Sequence, residues 1–160
     1  MARIIEIAHD ESIGKTLMLL TQTARVINRY VDSYFYKKAK ISFTKFMVLK
    51  LLASTNGVMT QTDIAEYTQT VLHNITTLVA RLKKEDLIST KRSDLDKRSV
   101  NVSLTDKGRM VLSQAMPIAR ELIDQIMSSI TETDALKLGQ ILEVLRGNAY
   151  GGLERIAKDA

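Results

Sequence analysis

The sequence predicts a mainly α-helical fold that carries one small β-hairpin. Three observations lead there. Apolar residues recur at steps of three and four through most of the chain, and the period shifts to two only near residues 88–104. The chain has 160 residues, 45% of them apolar and 26% charged, the composition of an ordinary globular protein and a length that suits one domain.

The first periodic segment starts near Ser12. Ile13, Leu17, Leu20, Ala24, Ile27, Val31 and Tyr34 follow alternating steps of four and three, a 3.5-residue seam of the kind that packs helices lengthwise on other helices. Ser42 is placed to cap a second helix. Its apolar positions Phe43, Phe46, Met47, Val48, Leu49 and Leu52 cover more than one face, as in a buried helix. Gly57 ends that stretch, and Val58-Met59 supplies a very short strand.

Thr60 and Asp63 form an N-terminal capping pair opening a helix over Gln61–Tyr67, with Ile64 and Ala65 inward. Thr68-Gln69-Thr70 holds no apolar residue and breaks it. Val71, Ile75, Leu78, Val79 and Leu82 then run at helical spacing to about Lys84, with Val71, Ile75, Leu78 and Leu82 expected inside. Two helices joined by a turn of about three residues form a helix-turn-helix pattern.

After Leu87-Ile88 the pattern alternates. Ile88, Thr90 and Arg92 form one arm of a hairpin; Arg98, Val100, Val102 and Leu104 share a face of the other, opposite Ser99, Asn101 and Ser103. The polar stretch Ser93–Lys97 is its tip. Thr105-Asp106 caps a long helical region with Leu112, Met116, Ala119, Ile123, Ile126 and Ile130 on one stripe, in which Pro117 is expected to introduce a kink. Thr131 and Asp134 cap a last helix bearing Leu138, Ile141, Leu142 and Leu145. Gly147, Gly151 and Gly152 predict a looser C-terminus.

Several chemistries are missing. With no cysteine, the chain has no disulfide, thiolate metal site or cysteine nucleophile. His9 and His73 are the two histidines, and neither has a ligand partner three or four residues on. The seven glycines form no phosphate-cradling loop, and no Ser, Asp or Glu spacing nominates a catalytic group. The expectation is a protein that is not an enzyme, with no catalytic residues, metal or cofactor. The longest apolar runs are four residues, as at Leu17–Leu20, so no membrane partner is expected. The first ten residues carry acids where a signal peptide is apolar, which predicts a cytoplasmic protein.

Charge placement is more informative than the net +5. Residues 40–105 hold ten bases and six acids, four of the five excess positive charges, as an electrostatic footprint for a polyanion would. In the second helix of the pair, Leu72, His73, Thr76, Thr77 and Arg81 lie on faces other than the apolar one, with Thr70 at the turn. Hydroxyl, imidazole, methyl and guanidinium groups suit base edges and phosphates in a major groove about 12 Å wide. Lys91, Arg92, Lys97 and Arg98 of the hairpin can reach an adjacent minor groove, and Asp96 can orient a guanidinium beside it. These residues make double-stranded DNA the expected partner.

The chain resembles the MarR (multiple antibiotic resistance regulator) family of winged helix-turn-helix transcription factors. The resemblance is strongest from Met59 to Gly108: Thr60-Gln-Thr-Asp-Ile-Ala-Glu66, Ile75-Thr-Thr-Leu-Val-Ala-Arg-Leu82, Leu87-Ile88, and Asp96-Lys-Arg-Ser-Val-Asn-Val-Ser-Leu-Thr-Asp-Lys-Gly108. The last is similar to the family's D-[RK]-R-x-x-x-V-x-L-T-x-x-G signature. It departs from the family at Thr70-Val71 in the turn and at Thr77, where many members carry Arg.

The resemblance implies a winged helix-turn-helix lobe over residues 40–105, interwoven with a helical dimerisation region of residues 1–39 and 106–160. It implies a homodimeric repressor of a pseudo-palindromic operator, with Arg98 as the wing arginine and Asp96 as its acidic partner. A small-molecule effector is expected in place of thiol sensing, in a pocket for which Tyr30, Tyr34, Phe43 and Met47 are candidates. The alternative is a winged-helix module that binds protein partners and no longer reads DNA.

Overall fold

The computed structural model describes residues 2–55, 57–68, 70–92 and 99–159, with side chains from residue 11 onward. Its elements, in order, are α1 (Ala2–Ala39), α2 (Phe43–Ser54), β1 (Val58–Thr60), α3 (Gln61–Thr68), α4 (Leu72–Lys84), β2 (Ile88–Arg92), β3 (Val100–Leu104), α5 (Asp106–Met127) and α6 (Glu132–Lys158). This is the mainly α fold with a small β wing that the periodicities predict. The chain divides into two compact units, Met1–Ile123 and Asp124–Ala160.

In the first unit, α1 begins at Ala2 rather than near Ser12. Nothing between these positions breaks a helix, and Ser12 has become an interior residue whose carbonyl accepts from the Thr16 hydroxyl at 2.9 Å. The helix ends at Ala39, and the next residue, Lys40, is left-handed at φ 58°. Among its described side chains, Val31 and Phe35 join the core. Phe35 is fully buried, its ring 5.0 Å from Phe43 and 4.8 Å from Phe46.

Ser42 caps α2, its Oγ accepting from the Lys45 amide at 3.3 Å. Phe46, Val48, Leu49, Leu51 and Leu52 are buried, so α2 is the central helix that its apolar pattern implies. Gly57, at φ +82°, turns the chain into β1. The sheet is antiparallel in the order β1-β3-β2, so β1 adds to the hairpin as a third strand. Val58 pairs with Ser103 and Thr60 with Asn101 on one side of β3; Ile88 pairs with Leu104 and Arg92 with Val100 on the other. Ile88, Val102 and Leu104 turn into the core, as the two-residue period requires.

The first turn of helix α5 fits against Leu87 and Leu104 because residue 108 is glycine. A Cβ at Gly108 would lie 2.0 Å from the Leu87 carbonyl oxygen. That approach is held by Thr105, whose amide donates to the same carbonyl at 3.3 Å and whose hydroxyl donates to the Asp86 carbonyl at 2.7 Å. Lys107 Nζ donates to the Glu85 carbonyl at 2.8 Å. Here the L-T-x-x-G run acquires its physical meaning.

The buried stripe of α5 is Gly108, Leu112, Ala115, Ala119 and Leu122. It differs from the expected one, since Met116 and Ile123 are exposed, and Ile130 lies beyond the helix end. Ala115 is buried in place of Met116. The helix is continuous through Pro117.

In the second unit, Thr131 caps α6, its Oγ1 accepting from the Asp134 amide at 3.1 Å. The helix runs through Gly147, Gly151 and Gly152 to Lys158, so the expected loosening does not occur. Each glycine costs about 1 kcal/mol against alanine, yet no proline or competing turn interrupts the 27 residues. None of the α6 residues is buried, and Leu138, Ile141, Leu142 and Leu145 are exposed. Among the described residues no helix is long and apolar enough to cross a membrane.

Candidate nucleic-acid interface

The helix pair is built from local hydrogen bonds. At the start of α3 the Thr60 amide donates to Asp63 Oδ2 and the Asp63 amide to Thr60 Oγ1, both at 3.1 Å. This reciprocal capping box is the one that the sequence spacing predicts. The turn is closed by the Thr70 amide, which donates to the Ala65 carbonyl at 2.9 Å. Ile75, Val79 and Leu82 then pin α4 to the core.

Val71 departs from expectation. It is 70% exposed rather than buried, and it occupies the N-cap of α4 with no side-chain cap. Val71 precedes the helix, which begins at Leu72 and has Ile75 as its first inward residue; Leu78, also expected inside, is half-buried, and Val79 is buried.

The outward face of α4 carries most of the predicted contacts. Leu72, His73, Thr76, Thr77 and Arg81 are all exposed, and Thr70 is half-buried at the turn. His73, Thr77, Ala80 and Lys84 follow one another at steps of four, three and four, so they form one outer ridge. Arg81, Lys83 and Lys84 crowd the last turn, favoured there by the helix dipole, and α4 contains no acid. Of the nearby acids, Asp63 is held in its capping box and Glu85 in an ion pair with Lys45 of α2, while Glu66 and Asp86 are exposed.

The hydroxyls are less free than their exposure suggests. Thr77 Oγ1 donates to the His73 carbonyl at 3.1 Å. Thr76 Oγ1 lies 3.0 Å from the Leu72 carbonyl and 3.1 Å from Oε1 of Gln61, across the helix pair. With their protons turned inward, both oxygens keep acceptor lone pairs for an outside donor such as cytosine N4 or adenine N6.

Lys91 and Arg92 are exposed on β2, at the outer end of the hairpin. Asp96, Lys97 and Arg98 lie outside the described residues. Of the residues expected around an effector, Phe43 and Met47 line a cavity of about 380 Å³ between α2, the end of α3 and the start of α4. Its walls are mostly apolar, from Val48, Leu51 and Ile75, with Lys50 and Tyr67 also at its lining. Tyr30 and Tyr34 are not among the lining residues; their rings pair with each other at 5.7 Å on α1.

The expected site omits Gln61, which meets Thr76, and the exposed Lys83 and Lys84 in the last turn of α4. The spacing from His73 contains the signal for Lys84. Gln61 has none, because its partner is fifteen residues away.

Comparison with known proteins agrees with this geometry. The family of the transcriptional regulators SarA and Rot matches residues 31–115, more than half of the chain. Over 127 residues the chain is 29% identical to the HTH-type transcriptional repressor IacR of Pseudomonas putida, covering 78% of this chain and 75% of the relative. A solved organohalide-sensing transcriptional regulator, in its ligand-free form, is similar with a TM-score of 0.74 and 27% identity over 84% of this chain and 79% of that one. A MarR family transcriptional regulator from Streptomyces coelicolor, solved in complex with DNA, shares the fold with a TM-score of 0.80 and 21% identity, over 84% of this chain and 86% of that one. The helix pair, its three-stranded wing and the match over residues 31–115 converge: the chain belongs to the SarA/Rot family of transcriptional regulators, which share the winged-helix fold of the MarR regulators.

Proposed function

We propose that this regulator binds double-stranded DNA as a homodimer and represses transcription until a small ligand releases it. The observation that carries the reading is the outer face of α4, where His73, Thr76 and Thr77 stand beside three cations and no acid. In this reading α4 enters a major groove, with its N-terminal residues at base edges. The hairpin bearing Lys91, Arg92, Lys97 and Arg98 reaches the neighbouring minor groove, with Asp96 orienting Arg98. The protein works in the cytoplasm, and two half-sites about 34 Å apart give the operator its pseudo-palindromic form.

Residues 1–39 and 106–160 form the dimerisation region in this proposal. The exposed apolar side chains of α1, such as Ile13, Leu17 and Ile27, and those of α6 support it, because such faces gain stability when covered. The cavity bounded by Phe43 and Met47 favours a compact apolar effector, since its floor includes Ile75 of α4 and its wall Thr70 of the turn. A ligand there acts directly on the seat of the reading helix.

The test is selection of bound genomic fragments by the purified protein, followed by titration of the recovered sequence at several salt concentrations. A pseudo-palindromic motif with affinity falling steeply in salt supports the proposal. No enriched motif from a folded dimer refutes it and favours the protein-interaction module.

A further inference from the structure

The contact between Gln61 and Thr76 joins the first residue of α3 to the outer surface of α4, fifteen residues on. Both ends are well placed to hold it. The backbone of Gln61 is fixed by the Thr60–Asp63 box on either side of it. Thr76 sits one residue beyond Ile75, which is buried and anchors α4. A helical threonine divides its population between two rotamers. Oxygens at 3.0 and 3.1 Å, from the Leu72 carbonyl and Gln61, draw its hydroxyl to one side and so fix where the methyl points. Thr77 lacks this second restraint, as its hydroxyl meets only its own helix.

The contact with Thr76 uses Oε1 of Gln61 and leaves the two amide protons outside it. Ordering a glutamine side chain costs up to about 2 kcal/mol, which one exposed hydrogen bond does not offset. The arrangement gains if those protons meet an acceptor when DNA is bound, and the phosphate beside the base under Thr76 is such an acceptor.

We propose that Gln61 is a positioning residue for base recognition: it holds the Thr76 side chain in one rotamer while its own amide protons grip the adjacent phosphate. This rests on the DNA-binding reading of α4. Gln61 thus couples a contact that carries no sequence information to one that does.

The experiment is selection from a randomised DNA library with the full-length wild type, Gln61→Ala, Thr76→Val and Gln61→Glu, with thermal unfolding of each as the fold control. Thr76→Val marks which motif positions depend on the hydroxyl. Gln61→Ala is expected to relax preference at those same positions by about 2- to 10-fold, the worth of one hydrogen bond. Gln61→Glu keeps an acceptor for Thr76 but loses the amide donors. It is expected to keep the wild-type base preference while binding more weakly overall. Combining Gln61→Ala with Thr76→Val adds nothing further at those positions.

If Gln61→Ala lowers affinity uniformly and leaves the motif intact, Gln61 is a phosphate contact only and the inference fails. It fails equally if Gln61→Ala and Thr76→Val change different positions. If the wild type recovers no motif, the DNA-binding reading itself falls, a result seen before any substitution is compared.

Discussion

Replacing Gly108 with alanine tests how the wing is joined to α5. The new Cβ would stand 2.0 Å from the Leu87 oxygen, 3.0 Å from its carbon and 3.1 Å from Leu104 Cδ2. Ordinary contact begins near 3.4 Å, so the helix must retreat by about 1.4 Å from a backbone carbonyl that has no rotamer to change. Such overpacking costs about 1–3 kcal/mol. The retreat also loosens the bonds from Thr105 to Leu87 and Asp86 and from Lys107 to Glu85. Each of these is worth about 0.5–1.5 kcal/mol. Alanine's better helix propensity returns about 1 kcal/mol. The collision and the weakened bonds together outweigh that gain, for a net loss of about 2–4 kcal/mol.

Urea unfolding at fixed protomer concentration, followed by circular dichroism, measures it. The midpoint should fall by about 1–2 M for a slope of about 2 kcal/mol per M. Gly139→Ala is the control. A Cβ there meets nothing within 4 Å, so the same substitution in α6 should stabilise by up to about 1 kcal/mol. A Gly108→Ala midpoint equal to or above the wild type would refute the steric argument.

Four further outcomes are expected. Val71→Ser supplies the side-chain cap that α4 lacks, at φ −57° and ψ 132°, and should raise stability by about 1 kcal/mol in a thermal melt. Asp63→Ala removes half of the α3 capping box and should cost about 1 kcal/mol by urea titration. Asp86→Gly relieves a left-handed residue, φ 60°, at the end of α4 and should stabilise by up to about 1 kcal/mol in the same titration. Lys84→Ala should weaken DNA binding at every sequence alike and flatten the logarithmic salt slope by about 0.9, as loss of one phosphate contact does; an unchanged slope would take Lys84 off the interface.

The sequence by itself determined the features that are local. The capping pairs Ser42, Thr60–Asp63 and Thr131 act within three residues, and all form as their spacing predicts. The switch from helical period to alternation marks the wing, because side-chain direction follows backbone geometry one residue at a time. Most of the α4 candidates were legible for the same reason: once Ile75, Val79 and Leu82 are inward, the remaining faces are outward.

What the sequence left open depended on partners far along the chain. Whether α5 buries Ala115 or Met116 is decided by what packs against it, and a small residue is favoured only where another surface comes close. The sequence pattern shows Gly108 but not the Leu87 carbonyl that requires it, 21 residues away. Strand β1 has too few residues to declare its neighbour, and the tertiary structure places it on β3. Gln61 reads as an ordinary polar residue until the fold brings Thr76 to it. Periodicity and capping are short-range effects of the backbone, whereas close approach and hydrogen bonds between elements exist only after the chain has packed.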